Sequence, residues 1–427
     1  MKRRDFLGTL AGAALAARGT AFSAEDVAAH VDRANAEIWR RFVDRRFDTM
    51  LHYAGPKGEV VLPTSEECAE SQPNGMSWST PTEDGPFFGG LYLVGLCRRW
   101  QMRRDAETAD QARRIAAGLM KLASLGSTPG FIARGVAEDG RSYYRASSED
   151  QMFPWFMGLR VYLQSGLATE SKRAAITARM VATVEAVERT RWRVPCDPAS
   201  FGERGDFTKA TVHDAARLLY FLRAMHELTG DERWLRDYRA RLAERIGKAN
   251  RPRLDLITDG LQFGPAEKQD TFIWTNSMSQ AALRALAEAE TDTTVREALR
   301  RGLIASAQSA AVHLVRAEHW DNANTLGFDV DWRFLKESWK PQANCDEAIA
   351  LARSQLPLWA DHNPRSPYED DTVREPLFAA WIVLLAGDHD LREKHRATIQ
   401  TMLRRYDWAR LYTSTFFVAV NVFHEGL

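Results

Sequence analysis

The 427-residue chain carries 57 basic and 57 acidic side chains and is 45% hydrophobic, an ordinary globular composition long enough for one large core or two average domains. Its zero formal net charge argues against a nucleic-acid or anionic-membrane partner, since either requires a basic face. Thirteen Trp, 20 Phe and 10 Tyr can serve a large core and can also stack on sugar rings.

The N-terminus, MKRRDFLGTLAGAALAARGTAFSAED, has a basic start, a mildly apolar stretch from Phe6 to Ala17, and small residues before Glu25. It reads as an export signal, and Arg3-Arg4 before Asp5-Phe6-Leu7 resembles the twin-arginine pattern. Residues 1–24 are therefore expected to be removed, with cleavage between Ala21 and Ala24. The mature chain, 25–427, is expected to be a periplasmic or extracellular protein of one domain, with no further membrane span.

Beyond the signal, two kinds of helix are predicted in alternation. One kind is apolar nearly all round: 87–100, 151–163, 215–228, 273–286, 376–385 and 415–423. The other is amphipathic and charged: 24–50, 106–125, 170–190, 232–246, 293–315 and 391–405. A helix apolar all round belongs inside and one with a charged face outside. Each inner helix joins the following outer one through a short turn such as TGDER or AGDHD, whereas long loops run back to the next inner helix. The polar starts at Asp84, Asp150, His213 and Asn276 are spaced by 66, 63 and 63 residues, a helix-hairpin period. An additional helix around 345–358 accounts for the longer step that follows. The expected fold is all-α, an (α/α)6 toroid of six inner and six outer helices. An open α-solenoid is the alternative, but its repeats are usually shorter and its loops are not systematically long on one side.

In that layout the long loops and the N-terminal ends of the inner helices line one mouth. Helix N-termini supply unpaired N–H groups, and loop-walled concavities are the usual place for a ligand. The residues placed there include Trp78, Glu83, Asp84, Arg134, Tyr144, Arg145, Glu149, Asp150, His213, Asp214, Trp274, Asn276, Arg374 and Glu375. Two carboxyls can protonate a leaving oxygen and activate water, aromatics can stack on rings, and arginines can hold a uronate. Each acid also has a plain structural use. Ser147 and Ser148 before Glu149 and Asp150 make a good N-cap with acids in the first turn, and Asp84 before Gly85-Pro86 has the form of a cap. His213 taken alone is more often structural than catalytic.

Of four cysteines, Cys97 sits in an apolar helix, while Cys68, Cys196 and Cys345 fall in loops; their spacing assigns neither a disulfide nor a metal site. The chain has no GxSxG, P-loop, HExxH or dinucleotide fingerprint, so no cofactor is expected.

The alternating helices and the placement of Asp84, Asp150 and His213 resemble the six-hairpin glycosidase superfamily, which includes the unsaturated glucuronyl and rhamnogalacturonyl hydrolases. The resemblance covers the whole mature chain in layout; the tryptophan-and-aspartate context of those families is not evident here. It implies Asp150 as general acid/base and Asp84 as a second essential carboxylate. Trp78, Arg134, Tyr144, Arg145, His213, Trp274, Asn276 and Glu375 would then bind a uronate-containing oligo- or polysaccharide. A polysaccharide lyase is the runner-up, with Tyr144 or His213 as base and Arg134 or Asn276 neutralising the carboxylate. A non-catalytic glycan-binding protein would not need both Asp84 and Asp150.

Overall fold

The structure is a computed structural model that describes residues 24–264 and 272–427. The proposed signal therefore lies almost wholly outside the described residues. The fold is all-α: sixteen α-helices are present among the described residues, and strands occur only as three two-residue hairpins. The helices are α1 (Ala24–Glu37), α2 (Ser65–Ala69), α3 (Gly85–Arg103), α4 (Ala106–Leu125), α5 (Glu149–Gln164), α6 (Glu170–Arg189), α7 (Val212–Thr229) and α8 (Glu232–Ala243). They continue with α9 (Arg253–Asp259), α10 (Ile273–Ala289), α11 (Thr293–Ala311), α12 (Cys345–His362), α13 (Arg365–Glu369), α14 (Glu375–Leu385), α15 (His389–Arg405) and α16 (Val418–His424).

The six helices predicted to be apolar all round are α3, α5, α7, α10, α14 and α16, and they form the core. Every residue of α14 is buried, and burial of each large apolar side chain contributes about 1.5–3 kcal/mol. Successive members touch: α3 with α5, α7 with α10, α10 with α14, α14 with α16, and α16 back to α3. Between α5 and α7 the contact is aromatic, with Phe153 against Tyr220 (5.4 Å) and Phe156 against Phe221 (4.9 Å). The charged helices α4, α6, α8, α11 and α15 each pack on the inner helix that precedes them, and α1 packs on α15 and α16.

The closest inner contact is α3 on α5, where the backbones meet at two glycines. A Cβ on Gly90 would lie 2.1 Å from the Pro154 carbonyl oxygen, and one on Gly158 would lie 2.4 Å from the Gly90 carbonyl oxygen. Only glycine permits that approach.

Three predicted boundaries differ. The helix expected over 24–50 stops in a π-turn at Ile38–Phe42, and Val43–Asp44 then pairs with Thr49–Met50. The Asp44 carboxylate takes the Arg46 amide (3.0 Å), and Asp48 adopts φ 58°, so a tight turn replaces the last helical turns. The helix expected over 232–246 ends at Ala243, because Arg245–Ile246 pairs with Arg251–Pro252 around Gly247 at φ 71°. Glu375 opens α14 with no loop before it, because α13 runs into α14 through a π-turn at Asp370–Arg374. No signal of apolar period marked α2, α9 or α13, which have five, seven and five residues.

Candidate functional site

The loop between α4 and α5 is fastened to the start of α3 by one guanidinium. Arg134 Nη2 donates to Asp84 Oδ1 (2.7 Å), Nε to the Glu83 carbonyl (2.8 Å) and Nη1 to Ser148 Oγ (3.2 Å). Gln151 Nε2, from the first turn of α5, donates to the same Asp84 Oδ1 (2.6 Å). Asp84 occupies the N-cap position of α3, yet its side chain caps nothing. Burial pushes its carboxyl up to about 6; Arg134 opposes this and Glu83 adds to it. Beside it, Glu83 Oε2 accepts the Ser79 amide (2.8 Å) and faces His52 Nδ1 (3.3 Å). Burial works against the charge on Glu83, but His52, Arg134 and the Ser79 amide hold its carboxyl below the usual range. For His52, burial opposes protonation, and Glu83, Asp84 and Asp370 outweigh it, so its pKa is raised. Donor atoms of His52, Glu83 and Asp84 lie within 4.8 Å of one another, a spacing that a cation can span. Arg134 already supplies Asp84 with a positive partner.

Asp150, one helix away, is in a different environment. Its side chain is 32% exposed, and Oδ1 accepts from Arg217 Nη1 (3.1 Å). Arg217 is buried in α7, and its remaining nitrogens bond Ser279 Oγ (3.0 Å) and the Thr275 carbonyl (2.9 Å). Burial and the adjacent Asp150 raise the Glu149 carboxyl. Across from Glu149 a two-residue hairpin, Val194–Pro195 with Glu203–Arg204, lays the Arg204 guanidinium over Trp78 at 5.6 Å. Gly205 follows at φ 85°, where a Cβ would fall on Glu149 Oε2. Arg204 makes no ion pair among the described residues, and its Nε is buried without a partner.

Trp274, at the start of α10, packs edge-on against Phe87 (5.0 Å) and lies beneath Arg374 (4.7 Å). Arg374 is in turn paired with Asp370 (2.7 Å) and Glu375 (3.2 Å). Burial raises the Glu375 carboxyl. His213 Nε2 faces Asp214 Oδ2 at 3.1 Å, with the imidazole one-third exposed and the carboxylate fully buried. Asn276 donates to the Phe272 carbonyl (2.7 Å). Four acceptors in this layer are buried without a donor among the described residues: Gln151 Oε1, Asp214 Oδ1, Asn276 Oδ1 and Glu375 Oε2.

Two predicted binding residues lie apart from these acids. Tyr144 is buried with Cys68 and Ala137, and its hydroxyl donates to the Gln72 carbonyl. Arg145 donates to the Ala69 carbonyl (3.0 Å) and covers Phe201. The two serines do not cap α5 either. Ser147 Oγ donates to the Ile132 carbonyl (2.7 Å), and Ser148 Oγ accepts from Arg134. Sequence reading passed over His52, Arg204 and Arg217. Arg217 had a usable signal: a lone arginine in the apolar run AARLLYFL must be paired if it is buried. His52 and Arg204 stand in loops and carried none.

The axis between the inner helices is filled at this end by Phe87, Phe88, Phe378 and Phe417, whose rings contact one another at 5.5–6.5 Å. At the opposite, tight-turn end a cavity of about 520 Å³ opens instead, lined by Val94, Met157, Tyr220, Ala281, Trp381 and His424, one from each inner helix. A concavity was expected at the loop end. Phe87 and Phe88 in the first turn of α3, Phe378 in that of α14 and Phe417 just before α16 fill the axis there instead. No family model matches this chain, and no curated protein sequence matches it.

Proposed function

We propose that the chain is an exported glycoside hydrolase, built as an (α/α)6 toroid and acting on a uronate-containing oligo- or polysaccharide. The closed order of contacts among six buried helices, each backed by a charged one, supports the toroid. Among the described residues no helix is long and apolar enough to cross a membrane; export rests on the N-terminal motif alone.

One observation carries the chemistry. Asp84 and Asp150 stand on adjacent helices, neither caps its helix, and their environments differ. Asp84 is buried with its carboxyl near 6, whereas Asp150 is one-third exposed against Arg217. Two carboxyls set apart in this way can divide general-acid and general-base duties. The proton store is then Asp84, with the cluster of His52 and Glu83 as its route outward, and Asp150 is the carboxylate that meets water or substrate. That exchanges the roles implied by the resemblance. Arg204 over Trp78 suits a sugar carboxylate above a ring face. The four donorless acceptors suit hydroxyls.

A lyase reading is kept alive by His213, a one-third exposed imidazole backed by a buried carboxylate, the arrangement of a general base. Tyr144 does not support it, since its hydroxyl is already bonded.

The deciding experiment incubates the protein with intact uronate polysaccharides and with their lyase-generated oligosaccharides. Absorbance of the C4–C5 unsaturated uronate and new reducing ends are followed together. Falling absorbance supports hydrolysis of an unsaturated uronide, and rising absorbance supports β-elimination and moves the base to His213. New reducing ends at constant absorbance indicate an ordinary glycosidase. No change in either signal across the panel would defeat the enzyme reading and favour a glycan-binding protein.

A further inference from the structure

All four cysteines are buried, and their surroundings differ. Cys97 lies inside α3, within hydrogen-bond reach of Ser165. Cys68 shares a small cluster with Ala137 and Tyr144. Cys196 and Cys345, 149 positions apart in sequence, share another with Met76, Ala146, Phe201, Ala348 and Ala352, and their thiols lie within hydrogen-bond reach of each other.

The backbone explains the meeting. Cys196 follows Val194–Pro195 in the hairpin, and its amide bonds the Gly202 carbonyl (2.9 Å). Gly202, at φ 115°, turns its α-carbon toward α12, so that a Cβ there would lie 3.5 Å from Cys345 Cβ. Cys345 is the first residue of α12, directly after the Asn344 cap, whose side chain takes the Glu347 amide (3.0 Å). The first turn of α12 is thereby seated on the hairpin that carries Arg204.

We infer that Cys196 and Cys345 are the disulfide-forming pair of this protein, and that the bond ties the hairpin bearing Arg204 to α12. The pairing follows from contact: neither Cys68 nor Cys97 shares this cluster. The hydrogen bond from Cys196 lowers the Cys345 thiol and raises that of Cys196, and Arg204 nearby also favours the Cys345 thiolate. Either thiol can open the exchange, and the course is the same when Cys345 does so. Its thiolate attacks one sulfur of a small-molecule disulfide such as oxidised glutathione, expelling one glutathione thiolate and leaving a mixed disulfide. Cys196 then loses its proton to solvent and displaces the second glutathione. The protein loses two hydrogens and two electrons, and the glutathione disulfide becomes two thiols. Both sulfurs are buried, so the reaction proceeds through local opening of the hairpin and is slow.

The test is to equilibrate the folded full chain with oxidised glutathione, denature it, alkylate it and measure intact and peptide masses. Expected are two alkylated cysteines, Cys68 and Cys97, and a linked peptide pair containing Cys196 and Cys345. Reduction should lower Tm by about 3 °C or more and should leave Cys196→Ser unchanged. Four alkylated cysteines after equilibration, or a link that includes Cys68 or Cys97, overturns the assignment. A Tm of the wild type that does not respond to reduction, with the linked peptide present, overturns the tying role.

Discussion

The first turns of the outer helices and those of the inner helices begin with similar residues and use them differently. Asp105, Thr169, Asp231, Asp292 and Asp388 precede α4, α6, α8, α11 and α15, and each accepts a backbone N–H of its own first turn. Of the inner helices only α7 is closed in this way, by Thr211. Asp84 and Ser148 occupy cap positions on α3 and α5 and are turned instead toward Arg134; Asp150 is turned toward Arg217. A polar residue at a helix start stabilises the helix where it faces its own backbone. Where it faces a partner from a distant loop, it is free for other chemistry. On the outside the helices are stabilised locally, and on the inside a loop arginine, Arg134, and a helix arginine, Arg217, hold the polar groups in place.

The largest effects are expected at the two inner-helix carboxyls. On whichever oligosaccharide the absorbance assay identifies, Asp84→Asn and Asp150→Asn should each lower kcat by about 10²–10⁴-fold. Denaturant unfolding of Asp150→Asn should show a smaller loss than that of Arg134→Met, because the buried Arg217 is deprived of its charged partner while Asp150 itself is one-third exposed. Next comes Arg134→Met, which leaves Asp84 buried without its counter-charge; denaturant unfolding should show a loss of about 3–5 kcal/mol.

The pH response sharpens the contrast. The Asp84 carboxyl titrates near 3.8 when unfolded and near 6 when folded, so between those values the folded state holds more protons. The contribution of this group to stability is therefore greatest at the acidic end and falls as pH rises toward 6. Wild type minus Asp84→Asn, followed by denaturant unfolding from pH 4 to pH 7, should show that downward slope. A flat difference would place Asp84 among ordinary carboxylates. Smallest is the outer set: Asp105→Ala and Asp388→Ala should each cost about 1 kcal/mol and leave any activity unchanged.

The alternation of buried and charged helices was legible because a buried face and a charged face leave different periods in sequence, and 87–100 and 106–125 became α3 and α4 within a few residues. The positions of Asp84 and Asp150 at helix starts were legible for the same reason. What those side chains touch was not. Arg134 reads in sequence either as a binding arginine after a glycine-rich turn or as one arm of a salt bridge, and the salt bridge to Asp84 and its other hydrogen bonds come from residues 14 to 51 positions away. Tyr144 sits beside Arg145 in a loop whose path alone decides that its hydroxyl is used up. The break in the 24–50 helix escaped because residues 43–50 keep an apolar-and-charged pattern that either a helix or a hairpin satisfies.

The glycine contact between α3 and α5 has a consequence for how such a molecule can diversify. Because the two backbones touch at Gly90 and Gly158, the interval between α3 and α5, at whose starts Asp84 and Asp150 stand, is set by the main chain. The long loops bearing Trp78 and Arg204 can then change in length and composition without altering the interval between these helices. The two glycines act as a ruler, and recognition can evolve on the loops while the interval stays constant.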